Sequence, residues 1–375
     1  MKKRIMCISA VVAVMAVMAV MAAAVGCENA EANKKSSVPE SSQVKSEESI
    51  TVEEKIEETS VKTQKTEDNT EAVNPLTGEK GFDAEAVGKR PAAVMVNNIK
   101  VSLPQYGIAQ ADVIYEVPVE GGITRLMAVY ADFRKVPDVC SVRSCRYYYP
   151  ILCLGMDAIY VHWGEDKTIA LETLNRTGID HIDGEFDKGL FYRDAERAKT
   201  MATEHTGYIK GEELAGKIAE KGFRTDVDEK YSGTLFNFAD GGEVVPDELS
   251  GNVVTVNFSK EYFSTFEFDS ESGKYKKLHS GSPQIDGGTN TQLEFENVFV
   301  LQTDVHTRGD GYLMDVALSG GTGYYFSNGG GQVINWTKKD EKDAIKVYNA
   351  DGNELAVSSG KSYIGIIGSE KNIDF

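Results

Sequence analysis

The clearest chemistry in this chain comes from two arginines three residues apart. Arg143, Ser144 and Arg146 form an RSxR motif, and on a helix the two arginines would share one face. If Ser144 caps that helix, both guanidinium groups lie beside free backbone N–H groups that already favour an anion. Guanidinium forks match the oxygens of carboxylates and phosphates. The motif therefore predicts an anion site at the start of a helix.

Other polar residues extend this prediction. Thr124 and Arg125 follow a Gly-Gly turn and could add a third guanidinium group, and Arg193 lies in a loop-like YRD segment. The alternative is that these arginines only pair with local acids, which is easily done in so acidic a chain. The acids available nearby are Asp112, Glu116 and Glu120.

Two histidines offer acid–base chemistry. His162 ends a predicted strand, where sheets that alternate with helices often contact ligands, and His205 begins the segment HTGY. Around one substrate they could act as the acid and base of an extracytoplasmic hydrolase or transferase. The alternative is that each imidazole only makes hydrogen bonds at the edge of a core. No nucleophile motif accompanies them, so the sequence identifies no catalytic residue.

The first globular part, 76–230, alternates strand-like and helix-like segments. Apolar runs predict strands at 91–98, 111–120, 123–132 and 158–163, the middle two joined as a hairpin. Helices are predicted from Ser144 toward Leu154, where Pro150 would kink the helix or delay its start, and over 167–175 and 212–221. This alternation predicts a mixed α/β domain of the α+β class.

The pattern changes at about 231. Short strand-like runs follow one another from VVTVNFS to YIGIIG, separated by glycine-rich turns, and Asp351-Gly352 is a hairpin signal. Many short strands at regular spacing predict a mainly antiparallel β domain, a sandwich or barrel, over 231–375. The glycine clusters do not lead from a strand into a helix, which argues against a phosphate-binding loop.

The N-terminus has the layout of a secretion signal. Lys2, Lys3 and Arg4 precede an uncharged run over 5–26, which is long enough that an uncleaved membrane anchor is the alternative. Small residues before Cys27, in the sequence AVGC, are typical of a bacterial lipobox, in which the cysteine is acylated. The sequence therefore predicts a signal peptide over 1–27 and a lipid anchor at Cys27 on the outer side of the cell membrane.

Composition predicts a tether and limits the partners. Residues 28–75 are rich in Glu, Lys, Ser and Thr without an aromatic residue, which predicts a disordered acidic segment. The chain of 375 residues has a net charge of −18, which becomes −21 when the three positive charges of Lys2, Lys3 and Arg4 are removed. Such an excess of acids argues against binding to nucleic acid, because the phosphates repel it.

The cysteines provide no metal or redox motif. Apart from the signal segment and Cys27, the chain contains Cys140, Cys145 and Cys153. An odd number in an oxidising compartment leaves two interpretations open, one disulfide with a free thiol or three buried thiols. Without a CxxC pair or metal-ligand spacing, the sequence predicts no metal and no cofactor.

Several segments together resemble the YerB-like bacterial lipoproteins, whose globular part is a pair of adjacent domains of uncharacterised function. The first domain carries RPAAVMVNN, ADVIYEVPVEGGITRLMAVY, SVRSCRYYY, MDAIYVHWG, YRD and HTGY. The second carries GTGYYFSNGG, INWTK, NADGNELAV and GKSYIGIIG. The chain departs from the family pattern at Cys140-Ser141, where Gly-Pro is usual, and at Cys145, where a small residue is usual. The resemblance implies a shared polar set, which is Thr124, Arg125, Arg143, Ser144, Arg146, His162, Arg193 and His205.

We therefore expect a membrane-anchored extracytoplasmic lipoprotein whose arginine cluster binds a carboxylate or phosphate, either of a cell-envelope polymer or of a small ligand. The alternatives are the hydrolase or transferase that uses His162 and His205, and a structural module that binds a protein partner. The sequence identifies neither the ligand, nor a reaction, nor the oligomeric state. Convergence of the guanidinium groups on one cavity would separate the first hypothesis from the others.

Overall fold

A computed structural model describes residues 71–239 and 242–375. The predicted signal peptide, Cys27 and nearly all of the predicted tether lie outside the described residues. Within those residues, none of the helices is both long and apolar enough to cross a membrane.

The first part of the chain alternates strands with short helices. Its strands are β1 (Ala92–Asn97), β2 (Val113–Pro118), β3 (Thr124–Tyr130), β4 (Val139–Cys140), β5 (Ile159–His162), β6 (His181–Asp183), β7 (Phe191–Arg193) and β8 (Gly207–Ile209). Its α-helices are α1 (Tyr148–Leu154), α2 (Ile169–Thr177) and α3 (Gly211–Glu220). Single turns of 3-10 helix cover Lys100–Ser102, Ile108–Gln110, Glu120–Gly122, Phe133–Lys135, Arg197–Lys199, Thr203–His205 and Glu229–Tyr231.

The second part consists of strands and turns, as predicted from its short apolar runs. Its longer strands are β11 (Val253–Asn257), β12 (Phe263–Asp269), β13 (Lys274–His279), β18 (Asn297–Thr303), β21 (Gly320–Ser327), β22 (Gly330–Thr337) and β25 (Ser362–Gly368). The shorter ones are β9 (Asn237–Phe238), β10 (Leu249–Ser250), β14 (Ser282–Pro283), β15 (Ile285–Asp286), β16 (Thr291–Gln292), β17 (Glu294–Phe295), β19 (Val305–Thr307), β20 (Met314–Val316), β23 (Lys346–Tyr348), β24 (Ala356–Val357) and β26 (Ile373–Asp374).

The start of helix α1 is delayed, which is one of the two effects predicted for Pro150. Its first residue is Tyr148, so Pro150 lies in the first turn, where a helix tolerates proline. The preceding segment is held by long-range backbone bonds, because Arg143 N donates to Met95 O (3.1 Å) and Cys145 N to Gly164 O (2.9 Å). The prediction that Ser144 caps a helix, with the arginines beside its N-terminus, is therefore wrong.

One large mixed sheet takes strands from both parts of the chain. Its order is β10-β22-β21-β18-β25-β2-β3-β1-β5-β6, with β23 beside β22. The parts meet where β2 pairs in parallel with β25, while β2 and β3 form the predicted antiparallel hairpin. The predicted domain boundary near 230 lies between two sets of strands that share this sheet, and the described residues form one compact unit. The second part is β-rich as predicted, although β18 and β25 pair in parallel.

The parallel strands of this sheet end along one edge. Strands β18, β25, β2, β1, β5 and β6 all run in the same direction, because β3 is antiparallel to both β2 and β1. We call the edge formed by their C-terminal ends the carboxyl edge. Ligand sites are common beyond the carboxyl ends of parallel strands. The strand-end residues at this edge are Thr303, Gly368, Pro118, Asn97, His162 and Asp183.

The two faces of the sheet belong to different cores. Met127 on β3 packs with residues of α1 in one cluster, whereas Leu126 packs with residues of β11, β12 and β13 in the other. Successive side chains of a strand point to opposite faces. Thr124 and Arg125, at the start of β3, are therefore placed on opposite sides of the sheet.

Candidate functional site

The segment 141–146, which carries the RSxR motif, is fixed across the carboxyl edge by its backbone. Asn97 N donates to Ser141 O (2.8 Å) at the end of β1. Trp163 N donates to Arg143 O (3.0 Å) just beyond the end of β5. Because both neighbouring strands contribute a hydrogen bond, the segment holds Arg143 and Arg146 at this edge without a helix.

Glu120 binds two of the predicted arginines. Its carboxylate accepts hydrogen bonds from Arg146 Nε (2.9 Å) and Arg146 Nη2, and from Arg125 Nη2 (3.3 Å). Burial raises the pKa of Glu120, but its bonds and charge contacts with the two arginines outweigh burial and lower it. For Arg125 and Arg146, the alternative of pairing with a local acid is thus the observed arrangement.

Thr124 and Ser144 contribute little to a site around the arginines. Thr124 Oγ1 donates to Glu116 Oε1 (2.7 Å) and accepts from Asn98 Nδ2 (2.8 Å), on the other face of the sheet. Ser144 uses its main-chain oxygen, which accepts from Arg125 Nη1 (2.6 Å). The structure therefore separates Thr124 from the arginines and gives Ser144 a role in positioning Arg125.

Arg143 is the predicted arginine with the fewest contacts. Among the described residues its guanidinium group makes no hydrogen bond, and its Nε is buried without a partner. The nearest carboxylate is that of Glu204, with Glu204 Oε1 3.7 Å from Arg143 Nη2 and the Glu204 side chain 58% exposed. Burial lowers the pKa of Arg143, and repulsion from Arg146 adds to this effect while Glu204 opposes it.

Arg193 and His205 complete a group around Arg143. Arg193 stacks on Trp163, with its Cζ 3.8 Å from the ring centre, and its Nη1 donates to Thr203 O (2.7 Å). Burial lowers the pKa of Arg193 and of His205, and in both cases repulsion from Arg143 adds to the effect. We call Arg143, Arg193 and His205 the Arg143 cluster.

His162 is placed deeper than the acid–base hypothesis requires. It is fully buried, its Nδ1 lies 2.9 Å from Gly164 O, and its Nε2 lies 2.9 Å from His181 Nδ1. Burial, with repulsion from His181, lowers the pKa of His162 to about 4, so the ring is neutral at pH 7. His205 instead contacts Asn97 Nδ2 through its Nδ1 (3.0 Å). These contacts give no support to an acid–base pair of His162 and His205.

A cavity of about 610 Å³ opens at the carboxyl edge, next to the turn that carries Glu120. Gly121 and Gly122 of that turn both have positive φ, a conformation that favours glycine. Tyr312 lines the cavity, and its charge is one of the lesser influences on the pKa of Arg143. Arg143, Arg193 and His205 do not themselves line the cavity. Other residues that line it are Ser259, His306, Met314 and Lys371.

The three cysteines of the described residues are free and buried. Burial raises the pKa of Cys140 and of Cys145 to about 12, so both remain thiols at neutral pH. Of the two interpretations left open by the sequence, the structure has three buried thiols and no disulfide among these residues.

Sequence reasoning missed a buried ion pair between the two parts of the chain. Lys277 Nζ lies 3.3 Å from Glu116 Oε2, and neither side chain is more than 1% exposed. Lys277 also donates to Ser264 Oγ and to Gln284 Oε1, both at 2.7 Å. The sequence feature that could have revealed this pair is β13, KYKKLH, in which alternate side chains face inward. This alternation puts Lys277 on the same inward face as Tyr275.

The comparisons with known proteins agree with this architecture. The protein-family model described as "Protein of unknown function (DUF3048) N-terminal domain" matches residues 76–224, and the family model of the corresponding C-terminal domain matches residues 254–364. A protein of Bacillus subtilis (strain 168) named "Putative lipoprotein YerB" is 30% identical over 300 residues, which is 78% of this chain and 85% of that protein. The crystal structure of YerB protein from Bacillus subtilis has a TM-score of 0.69 at 25% identity and covers 81% of this chain and 100% of that chain.

Proposed function

The chain belongs to the YerB-like family of paired DUF3048 domains, and we propose that it is an extracytoplasmic lipoprotein that binds an anionic group of the cell envelope. The anchor is Cys27, in the lipobox-like sequence AVGC. The name of the Bacillus subtilis relative supports this assignment. The ligand site is the Arg143 cluster.

The anchor gives the first testable prediction. We expect Cys27→Ala to abolish incorporation of labelled fatty acid, because the acylated thiol is lost. Cys7→Ala, inside the signal segment, should leave labelling unchanged. Labelling is measured after expression in a bacterial host that processes lipoproteins. If the Cys27→Ala chain still carried the label, Cys27 would not be the acylated residue. If neither the Cys27→Ala chain nor the Cys7→Ala chain were labelled, the uncleaved membrane anchor would be the better description.

The observation that carries the ligand proposal is the buried Nε of Arg143, which has no hydrogen-bond partner among the described residues. A buried donor without a partner costs roughly 1–3 kcal/mol, which a bound anion would offset. Arg125 and Arg146 are already paired with Glu120, whereas Arg143 faces only the exposed carboxylate of Glu204 at 3.7 Å. Arg143 is therefore the group most available to an incoming carboxylate or phosphate.

The surroundings of Arg143 suit a ligand larger than a simple ion. The 610 Å³ cavity at the same carboxyl edge is within the usual range for small-molecule sites, about 300–1,000 Å³. It offers aromatic and hydroxyl groups at Tyr312 and Ser259. A ligand with an anionic group at Arg143 and an uncharged polar body in the cavity, such as part of a wall polymer, fits this arrangement.

The second prediction tests this site by mutation. We expect Arg143→Gln to weaken binding to isolated cell-wall material about tenfold or more, because a charge-assisted hydrogen bond contributes roughly 1.5–3 kcal/mol. Glu204→Gln should strengthen binding, because it removes the carboxylate that competes for Arg143. Sedimentation with wall material measures both, and competition by inorganic phosphate or acetate identifies the anion.

Arg176→Gln is the matched control. Arg176 is half exposed and pairs with Glu341, so its loss should not change binding to the wall material. Equal binding by wild type and Arg143→Gln would contradict the proposal, as would an equal loss in Arg143→Gln and Arg176→Gln. The latter result would indicate a general charge effect.

A further inference from the structure

Two carboxylates and an imidazole meet beyond the ends of β5 and β6. His162, Glu165 and Asp183 each offer one ligand atom, and these three atoms lie within 4.8 Å of one another. Metal–ligand bonds of about 2.0–2.2 Å place two ligands of one ion at most about 4.4 Å apart, so a small movement of these side chains toward each other would let one ion contact all three. We propose that these residues form a binding site for a divalent transition-metal ion.

Asp183 provides an independent reason to expect a cation. The residue is 2% exposed, and its Oδ1 accepts from Gly164 N (2.7 Å) and Glu185 N (3.0 Å). Its Oδ2 is buried and has no hydrogen-bond partner among the described residues. Its only ion-pair neighbour there is the imidazole of His162, at 3.9 Å. A buried carboxylate without a cationic partner is costly, and a bound ion would supply the missing partner.

Glu165 has a cationic partner that a metal ion could displace. Its side chain is 2% exposed, and its Oε1 lies 2.5 Å from Lys167 Nζ. Lys167 itself is 66% exposed. Because its long side chain can turn into solvent at little cost, the ammonium group can act as a mobile substitute for a metal ion at Glu165.

His162 is oriented to present Nδ1 to this site. Nδ1 lies 2.9 Å from Gly164 O and 3.9 Å from Asp183 Oδ1. A carbonyl oxygen only accepts, so in the observed arrangement Nδ1 carries the proton and donates to Gly164 O, while Nε2 accepts from His181 Nδ1, 2.9 Å away. Binding a metal ion through Nδ1 would move that proton to Nε2, which would then donate to His181 Nδ1, as metal-binding histidines usually donate their second ring nitrogen to a neighbouring acceptor. The ion would then lie near Nδ1 and the Gly164 carbonyl oxygen.

The donor set indicates which class of metal the site would take. One imidazole nitrogen and two carboxylate oxygens suit Zn²⁺ or Mn²⁺, whereas Ca²⁺ and Mg²⁺ prefer oxygen ligands alone. The three residues follow the ends of two different strands, so no compact spacing motif marks them in the sequence. The site shares no residue with the Arg143 cluster and does not depend on the anion proposal.

The experiment is a titration of the metal-free full chain, purified in detergent, with Zn²⁺ by calorimetry. We expect one high-affinity ion per chain. Glu165→Gln and Asp183→Asn should each weaken binding about tenfold or more, since even changes to outer-shell groups cost 10–100-fold. Lys167→Gln should tighten binding, because it removes the competing ammonium group. Glu172→Gln, an exposed carboxylate on α2, is the matched control.

The affinity for Zn²⁺ is expected to fall in Glu165→Gln and Asp183→Asn and to rise in Lys167→Gln, so the variants separate the proposed site from a general loss of structure. Lys167 is exposed but pairs with the buried carboxylate of Glu165, so thermal melts with and without Zn²⁺ check the folding of every variant, Lys167→Gln included. Absence of Zn²⁺ binding in the wild type would overturn the proposal. So would equal affinities in Glu165→Gln, Lys167→Gln and Glu172→Gln, because the ion would then bind elsewhere.

Discussion

Replacing Lys277 with Met is expected to lower the free energy of unfolding by about 3–5 kcal/mol, because it leaves the carboxylate of Glu116 buried without its cation. Glu116 is 1% exposed, and the ammonium group of Lys277 is the cation that pairs with it. Burial raises the pKa of Glu116, but the charge of Lys277 and the hydroxyl donors outweigh burial and lower it. The folded state therefore holds the carboxylate ionised and needs the positive charge.

The position of this pair makes the effect large. Glu116 lies on β2, in the first part of the chain, and Lys277 on β13, in the second. Ser264 and Tyr363 donate to Glu116 Oε2 at 2.8 and 2.9 Å. The network therefore joins the large sheet to a second sheet, which has six strands in the order β14-β13-β12-β11-β26, with β17 beside β13. A change at Lys277 thus affects the packing of one sheet on the other.

Lys276 provides a matched control on the same strand. Its side chain is 40% exposed and pairs with Asp269, so Lys276→Met should change the free energy of unfolding far less than Lys277→Met. The double variant Lys277→Met with Glu116→Gln should recover part of the loss, because no buried charge remains. Urea denaturation at pH 7 followed by circular dichroism measures all three. Equal losses in Lys277→Met and Lys276→Met would contradict the prediction.

The sequence predicted the elements well because their signals are local. Strand β5 was found from the apolar run AIYVHW, and α3 from Leu214 and Ile218 on one helical face, both fully buried in the structure. The same period-two rule could have shown that Thr124 and Arg125 cannot share one site. The position of His162 at the end of β5 was likewise predictable, because the apolar run of this strand ends in a polar residue.

Long-range pairing explains what the sequence could not predict. Nothing near Glu116 indicates that its cation is Lys277, and nothing near β2 indicates that its parallel neighbour is β25. Ser144 resembled a helix cap, but backbone bonds to Met95 and Gly164 hold the RSxR segment extended. Likewise, only the fold shows that Glu120 pairs with Arg125 and Arg146, and that the nearest carboxylate to Arg143 is the exposed one of Glu204, 3.7 Å away.

The second large effect is a loss of stability in acid caused by His279. The residue is 3% exposed, and both of its ring nitrogens are buried without a partner among the described residues. Burial, with repulsion from Lys277, lowers the pKa of His279 from 6.5 to about 4. Glu116 and the nearby backbone of Asn98 oppose this lowering of the pKa, whereas Lys100 adds to it. The ring centre of Tyr262 lies 5.6 Å from that of His279.

The direction of the pH effect follows from which state binds the proton. Above pH 6.5 neither state is protonated at His279, and between pH 6.5 and 4 only the unfolded chain takes up the proton. The free energy of unfolding therefore falls as the pH is lowered through this range, and His279 accounts for about 3 kcal/mol of the loss. Below pH 4 both states are protonated, and its contribution no longer changes.

His279→Gln isolates this contribution from those of the other buried histidines. We expect the variant to lose about 3 kcal/mol less than the wild type between pH 6.5 and 4, because glutamine does not titrate. Urea denaturation at a series of pH values gives both slopes, and any packing cost of the substitution shifts the whole curve without changing its slope. Parallel curves for the two proteins would mean that His279 is protonated as easily in the folded chain as in the unfolded one.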